Sequence, residues 1–345
     1  MPTTRRTVLS TVPLLAGLPL LGACGSDDGS GDAASTPAAT TGGGAAGFPV
    51  TIEHALGTTT IEAEPQRVVC LGWGSQDVVW ALGGQPVGVP EITYGGNPDG
   101  TLPWWEGHFD AGTTTFLPNP TSGEVPFEQI TALAPDLILA VYSGITADDY
   151  ATLEQIAPTV GYPDQPWLTS WQDQTTLVGK ALGKSAEAEK LVADAEDDLA
   201  TRAAATPSLK GRTFSYVYAT PENLSVYLPG DSRVDTLHEL GLVDAPGITA
   251  LADAQDAFYT ELAKERVRDV DSDLIVGYGT ITRDQLRADP VYATMPAVAS
   301  DAVAWIDDEQ LVTATSATLL SLPWALDRLV PLLDAAAQKA PATTS

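Results

Sequence analysis

The sequence is 345 residues long and sets 17 Lys and Arg against 45 Asp and Glu, a formal charge of −28, with 44% apolar residues, two Cys and three His. At roughly 100 to 200 residues per domain the length allows about two packed units, and the apolar content is ample for their cores. The negative balance excludes free nucleic acid as a partner, because duplex binding draws its affinity from Lys and Arg that release counterions. Two cysteines cannot build a disulfide framework.

Residues 1–23 have the pattern of a signal peptide. Thr4-Arg5-Arg6-Thr7-Val8-Leu9 supplies a paired-arginine positive end, and the apolar stretch from Val8 to Leu21 is broken by Pro13 and Pro19. That stretch is too short to span a bilayer as a stable helix. The twin arginine points to the export route that accepts folded proteins. Leu21-Gly22-Ala23-Cys24 resembles the bacterial lipobox, whose thiol is acylated and becomes the first mature residue; the plain alternative is an ordinary secretory signal with a chance Cys. Residues 24–47, rich in Gly, Ala, Ser, Thr and Asp, have almost nothing to bury and read as a flexible tether. A folded body held by lipid alone on the outer face of a plasma membrane is the expectation.

From Phe48 the texture changes. Val50 to Ile61, interrupted at Ala55 to Thr58, reads as a hairpin. Arg67 to Leu71 is a continuous apolar strand that ends in Gly72-Trp73-Gly74, after which Ser75 can cap a helix carrying Val78, Val79 and Leu82 on one face. Pro86 to Val89 and Asp136 to Val141 are further strands, the second reached through a short helix from Glu128 to Leu133. Strands apolar throughout and alternating with helices predict a parallel sheet covered on both faces.

A helical pattern over Ser185 to Ala205 places Leu191, Val192, Ala195 and Leu199 at helical spacing, with Arg202 near its end and Pro207 beyond, about 30 Å of rod. Beyond it the cycle recurs, with strands at Thr213 to Ala219, Asn223 to Leu228, Asp273 to Val276 and Ala302 to Ile306, and a helix at Val234 to Leu240. Glu128-Gln-Ile-Thr-Ala-Leu-Ala-Pro-Asp136 and Glu265-Arg-Val-Arg-Asp-Val-Asp-Ser-Asp273 both set a Glu eight residues before an Asp that opens an apolar strand, at an offset of 137. The repeat supports two similar halves. The expected class is therefore α/β, with two Rossmann-like lobes of parallel-rich sheet joined by one long interlobe helix: 48–183 for the first lobe, 184–206 for the connection, 207–337 for the second lobe and 338–345 for a tail.

Arg67-Val-Val-Cys-Leu-Gly-Trp, Val87-Gly-Val, Pro135-Asp136-Leu-Ile-Leu, the Gly183 junction, His238-Glu-Leu-Gly-Leu242 and the lipobox, in this order, resemble the ABC-importer lipoproteins that capture ferric siderophores, a group that also holds haem and cobalamin binders. The resemblance covers about residues 48–337. It implies two lobes on one long helix, a shallow ligand cleft between them, small closure on binding, and one Glu per lobe docking into arginine pockets of an ABC permease. Glu128 and Glu265 match those positions, although Ala263 stands where a Ser is common in the family; a solvated Glu in a first helical turn is the plain alternative for each. No enzymatic activity, no intrinsic cofactor and a monomeric state are expected, with the ferric siderophore as transported ligand.

Ligands in α/β lobes sit beyond the carboxyl ends of the strands. Trp73, Tyr94, Tyr142 and Tyr278 follow such ends, and Trp104, Tyr227 and Trp324 lie in loops nearby. Flat rings can clasp a compact, half-apolar chelate at low entropic cost, or simply pack against neighbouring loops. Trp73 and Tyr278 occupy equivalent strand-Gly-aromatic-Gly positions. With His54, His108 and His238 scattered and Cys70 alone in a strand, no cluster that would ligate iron directly is visible, so the metal is expected to arrive wrapped in its chelator. From Val68 to Gly179 there are 13 acids and no Lys or Arg. A triply charged catecholate would meet little compensation there, and a neutral or cationic hydroxamate is favoured, hydrogen-bonded by Arg233 of Leu228-Pro-Gly-Asp-Ser-Arg, unless that Arg only pairs with Asp231 or Asp235. Arg283 and Arg287 are further cations of that lobe. Gly72-Trp-Gly74 lacks the third glycine of a dinucleotide fingerprint, and no G-x-S-x-G elbow occurs. Two alternatives remain: haem or cobalamin as the solute of the same fold, and a surface adhesion or glycan-binding module, which would not require an interlobe rod or paired Glu positions.

Overall fold

The computed structural model describes residues 47–119, 124–254 and 257–341. The expected signal peptide, Cys24 and nearly all of the tether, together with the end of the tail, lie outside the described residues. Alternation of apolar and polar residues makes the opening hairpin: β1 (Val50–His54) and β2 (Gly57–Ile61) pair antiparallel with Val50 opposite Ile61, burying Ile52, His54, Thr59 and Ile61 on one face.

Five short strands come next, β3 (Val68–Cys70), β4 (Gly88–Pro90), β5 (Thr115–Leu117), β6 (Leu137–Leu139) and β7 (Thr159–Val160), all parallel in the order β5-β4-β3-β6-β7. The three central strands are buried on both faces, which is why they carry no alternation. Helices α1 (Ser75–Ala81), α2 (Phe127–Ala132), α3 (Ala147–Leu153) and α4 (Trp171–Ala181) cover the sheet. Ser75 does not cap α1 as the sequence suggests; Gly74 does, at φ +79. The reason is space and backbone hand: a Cβ at residue 74 would stand 2.5 Å from Thr318 Cγ2, and an L side chain resists that φ.

The rod is α5 (Ser185–Ala205), whose Ala188 and Leu199 are buried and whose Arg202 bridges Asp198 and Asp327 at 2.7 Å each. The second sheet is mixed. β8 (Thr213–Ala219), β9 (Asn223–Tyr227), β10 (Val243–Asp244), β11 (Tyr259–Ala263), β12 (Leu274–Gly279) and β13 (Val303–Trp305) run in the order β11-β9-β8-β12-β13, with β10 also pairing β8. β8, β12 and β13 are parallel and β9 is antiparallel to both its neighbours. Around it lie α6 (Ser232–Glu239), α7 (Pro246–Ala252), α8 (Arg283–Ala288), α9 (Pro296–Ala299), α10 (Glu309–Thr315) and α11 (Ser321–Ala337). The architecture is α/β, two lobes on one long helix.

The internal repeat has a structural meaning. Asp136 sits just before β6 and its carboxylate accepts the Gln66 and Arg67 backbone N–H groups at 2.8 Å, clasping the start of β3. Asp273 does the same for β8, accepting the Thr213 N–H at 3.0 Å. The helical half of the repeat diverges, since Glu128 opens an α-helix and Glu265 a 3₁₀ helix (Lys264–Val270).

One apolar core runs through both lobes, from Val68, Cys70 and Val78 to Phe214, Tyr216 and Val276. At the seam, Asp77 of α1 is fully buried and accepts hydrogen bonds from Trp105 Nε1 at 2.9 Å and from the Thr318 hydroxyl of the second lobe. Burial lifts its carboxyl to about 7, against the partial opposition of these donors. As pH climbs from about 4 to 7 the unfolded chain therefore releases this proton before the folded one does, so the folded state loses stability across that window, on the order of 4 kcal/mol in total. In Asp77→Asn that part of the slope is expected to vanish, as read from denaturant unfolding at a series of pH values.

Candidate functional site

A cleft of about 340 Å³ opens between the lobes. Its first-lobe wall is built from residues just past the strand ends: Trp73 after β3, Ile92 to Tyr94 after β4, Asn119 after β5, Tyr142 after β6 and Trp167 after β7. Parallel strands end on one edge, so five loops distant in sequence deliver their side chains to one place. The second lobe adds Asp231 and Arg233 at the start of α6, Phe258, Tyr278 at the end of β12, and Val312, Thr313 and Ser316 at α10.

Trp73 is fixed on three sides. Its backbone N–H donates to Tyr142 O at 2.9 Å, its carbonyl accepts from Gln174 Nε2 at 2.5 Å, and its indole N–H donates across the seam to Ser316 O at 2.8 Å. Trp167 is held at φ +62, a conformation a bulky side chain adopts only under constraint. A Cβ at Gly144 would lie 2.1 Å from its Nε1, so glycine is what lets the indole lie there. Its ring meets Tyr142 edge-on at 6.1 Å.

Arg233 is the cation of the cleft. Its Nη1 donates to Asp231 Oδ2 at 2.7 Å, and its guanidinium lies 4.7 Å from the Tyr227 ring centre. Burial alone would lower its pKa, but the Asp231 carboxylate overrides this and holds it above the ordinary value, so it stays charged. Asp231 also accepts the Arg233 backbone N–H at 2.9 Å and caps α6. Arg233 Nε is buried without a hydrogen-bond partner. Tyr227 and Tyr278 hydrogen-bond through their hydroxyls at 2.7 Å with rings 25° from parallel. Burial raises both phenols, and Tyr142 likewise, keeping them neutral.

Of the residues singled out in the sequence, the structure brings Trp73, Tyr94, Tyr142, Arg233 and Tyr278 to the cleft, Tyr94 at its rim and 52% exposed. Tyr227 stands behind Tyr278 and Arg233. Trp104 and Trp324 lie elsewhere, packed on each other at 5.5 Å, with Arg328 3.6 Å over the Trp324 ring. Arg283 and Arg287 both pair with Asp301, and His108 lies against Trp80. Glu128 and Glu265 are exposed in the first turns of their helices. Among the described residues no group of three or more His, Cys, Asp or Glu could hold a metal ion. Sequence reasoning missed Trp167, Phe258 and the α10 residues. Trp167 comes after a strand of only two residues, too short to mark its own carboxyl end, whereas Thr313 and Ser316 are polar helix-end residues with no local signal.

Residues 68–310 match the model of the periplasmic binding protein family. The chain belongs to that family. Its fold agrees: the crystal structure of Streptococcus pneumoniae PiaA in complex with ferrichrome superposes with a TM-score of 0.78 at 32% identity, covering 84% of this chain and 99% of that one. Staphylococcus aureus SirA complexed with staphyloferrin B gives 0.68 at 25% identity, covering 82% and 98%. The probable siderophore-binding lipoprotein YfiY of Bacillus subtilis is 26% identical over 254 residues, 70% of this chain and 72% of the relative. Periplasmic binding proteins capture solutes rather than transform them, so this chain is a solute-binding protein, not an enzyme, and the cleft is where a solute would sit.

Replacing Trp73 by Phe keeps a ring in the wall but orphans the Ser316 carbonyl at the seam. The expected result is a loss of about 1 kcal/mol in unfolding free energy, read by chemical denaturation.

Proposed function

We propose that this periplasmic binding protein is the extracytoplasmic substrate-binding lipoprotein of an ABC importer, that it captures a ferric siderophore of hydroxamate type, and that it hands the chelate to a membrane permease. The observation that carries the reading is the charge state of the cleft: ring walls around a cation that Asp231 already neutralises at 2.7 Å. A ferric trihydroxamate is uncharged and offers oxygen acceptors on a compact, half-apolar body. It asks for flat faces and one or two donors, which is what Trp73, Trp167, Tyr142, Tyr278 and Arg233 supply. A ferric tricatecholate brings three negative charges to a chain of net charge −28, with no cation besides Arg233 among the described residues lining the cleft. The names of the relatives support the cargo class, since PiaA was crystallised with ferrichrome and YfiY is described as siderophore-binding.

In this reading Tyr227 backs the Arg233 contact, while Trp104 and Trp324 brace the lobe rather than touch the cargo. The chain acts as a monomer, anchored through Cys24 after removal of residues 1–23, with lobes at 48–183 and 207–337 on the 184–206 helix. Glu128 and Glu265 dock the permease, one from each lobe.

Tryptophan-fluorescence titration is expected to show tight binding of a ferric trihydroxamate such as ferrichrome and none of a ferric tricatecholate; the reverse order of affinities would overturn the assignment. Arg233→Lys keeps the charge but loses the planar fork of donors, and should weaken hydroxamate binding about tenfold. The pair Glu128→Arg and Glu265→Arg should leave that affinity unchanged and abolish siderophore-dependent growth of cells relying on this protein.

A further inference from the structure

The cleft wall contributed by the second lobe is not self-supporting. The stretch from Glu309 to Thr318 runs along the seam, and the first lobe grips it at four points: Asn97 Oδ1 accepts from Gln310 Nε2 at 2.9 Å, Tyr94 O accepts from the Thr313 hydroxyl at 3.3 Å, the Trp73 indole donates to Ser316 O at 2.8 Å, and Asp77 accepts from the Thr318 hydroxyl. The first three are single bonds between partly exposed groups. The fourth is different: Asp77 is 0% exposed and Thr318 1%. Trp105 Nε1 anchors the other carboxylate oxygen at 2.9 Å, and the Trp104 and Gln76 side chains stand close behind. The titratable neighbour that senses Asp77 is Cys70 of β3, whose thiol burial holds neutral.

The geometry couples this bond to the cleft. Thr318 lies two residues from Ser316, whose carbonyl fixes the Trp73 indole, while Asp77 N–H donates at 3.1 Å to the carbonyl of Gly74, the residue after Trp73. Thr318 also fills the space that a side chain at Gly74 would take. Asp77 and Thr318 thus hold both partners of the Trp73–Ser316 contact from behind, although neither lines the cleft.

We infer that Asp77 and Thr318 form a buried interlobe pin that positions the Trp73–Ser316 wall, and that this pin sets how tightly the cleft holds its chelate. The inference deepens the proposed siderophore-binding role and rests on it for its ligand. A buried carboxylate is retained here because it can accept from two lobes at once, which no apolar pair could do directionally. Both are positioning residues, acting on the cargo through Trp73 and Ser316.

The test compares Asp77→Asn, Thr318→Val, Thr318→Ser and the double variant Asp77→Asn/Thr318→Val with the full chain, using ferrichrome titrations and hydrogen–deuterium exchange of the ligand-free protein. Thr318→Ser keeps the hydroxyl and should bind within about twofold of the unaltered protein, while Thr318→Val and Asp77→Asn should each bind about tenfold more weakly. Because Thr318 Oγ1 also accepts from the Ser321 N–H at 3.1 Å, the double variant isolates the shared part. It should bind no more weakly than the worse single variant, the mark of one broken interaction rather than two. Amides of 309–318 should exchange faster in Thr318→Val and not in Thr318→Ser. Affinities within twofold of each other across all folded variants, or a lowered melting temperature with unchanged affinity and exchange, would overturn the pin. If Asp77→Asn does not fold, the Val and Ser replacements at 318 decide. If the unaltered protein binds no hydroxamate, the cargo assignment fails, and the exchange comparison still decides whether the pin holds the wall.

Discussion

Arg233 and Asp231 sit 2.7 Å apart at the second-lobe side of the cleft, and each neutralises the other's charge where the cleft is lined. A guanidinium buried among Tyr142, Tyr216 and Tyr227 without a counter-ion would be too costly to keep charged. Asp231 resolves that, and as the cap of α6 it is itself held in place. The pair leaves a field close to neutral, and in the proposed role the surrounding rings, rather than net charge, would select the solute. A cleft with a lone Arg would draw anions, whereas a paired one leaves shape and flat contact as the means of selection that the proposed function calls for.

Rings discriminate only if they stay still. Trp73 is held by Tyr142, Gln174 and Ser316, and Trp167 by its backbone N–H bond to Ser143 O at 3.1 Å, with its indole lying in the space that Gly144 leaves. Rigidity of this kind reduces the ordering entropy that binding must overcome. It also depends on the seam, where a single core passes from one sheet to the other and a carboxylate is kept dry between them. That carboxylate weakens the fold as it ionises near neutrality, so its place there has a stability cost that its hydrogen bonds to Trp105 and Thr318 offset only in part.

The resemblance of the two lobes is preserved where hydrogen bonding demands it. Asp136 and Asp273 each clasp the entry to the first strand of a main sheet, Asp136 accepting the Gln66 and Arg67 N–H groups just before β3 and Asp273 the Thr213 N–H of β8, and this shared role falls on the Asp that recurs at an offset of 137. The turns before them drifted apart into an α-helix and a 3₁₀ helix, since an exposed first turn constrains little.

Periodicity in the sequence determined the hairpin, the central strands and the full extent of the rod at Ser185–Ala205, because burial on one face or on both imprints a local pattern. It also pointed to the ends of strands, hence to Trp73, Tyr142 and Tyr278. Only the tertiary structure decided that β9 runs antiparallel, that Gly74 and not Ser75 caps α1, and that Trp104 pairs with Trp324 while Trp167 and Ser316 reach the cleft. The Gly74 cap, the Trp104–Trp324 pair and the place of Ser316 depend on residues more than two hundred positions apart meeting at a seam, and nothing local records such a meeting: Asp77 reads as one acid among 45 until Thr318, 241 residues later, is seen to lie against it.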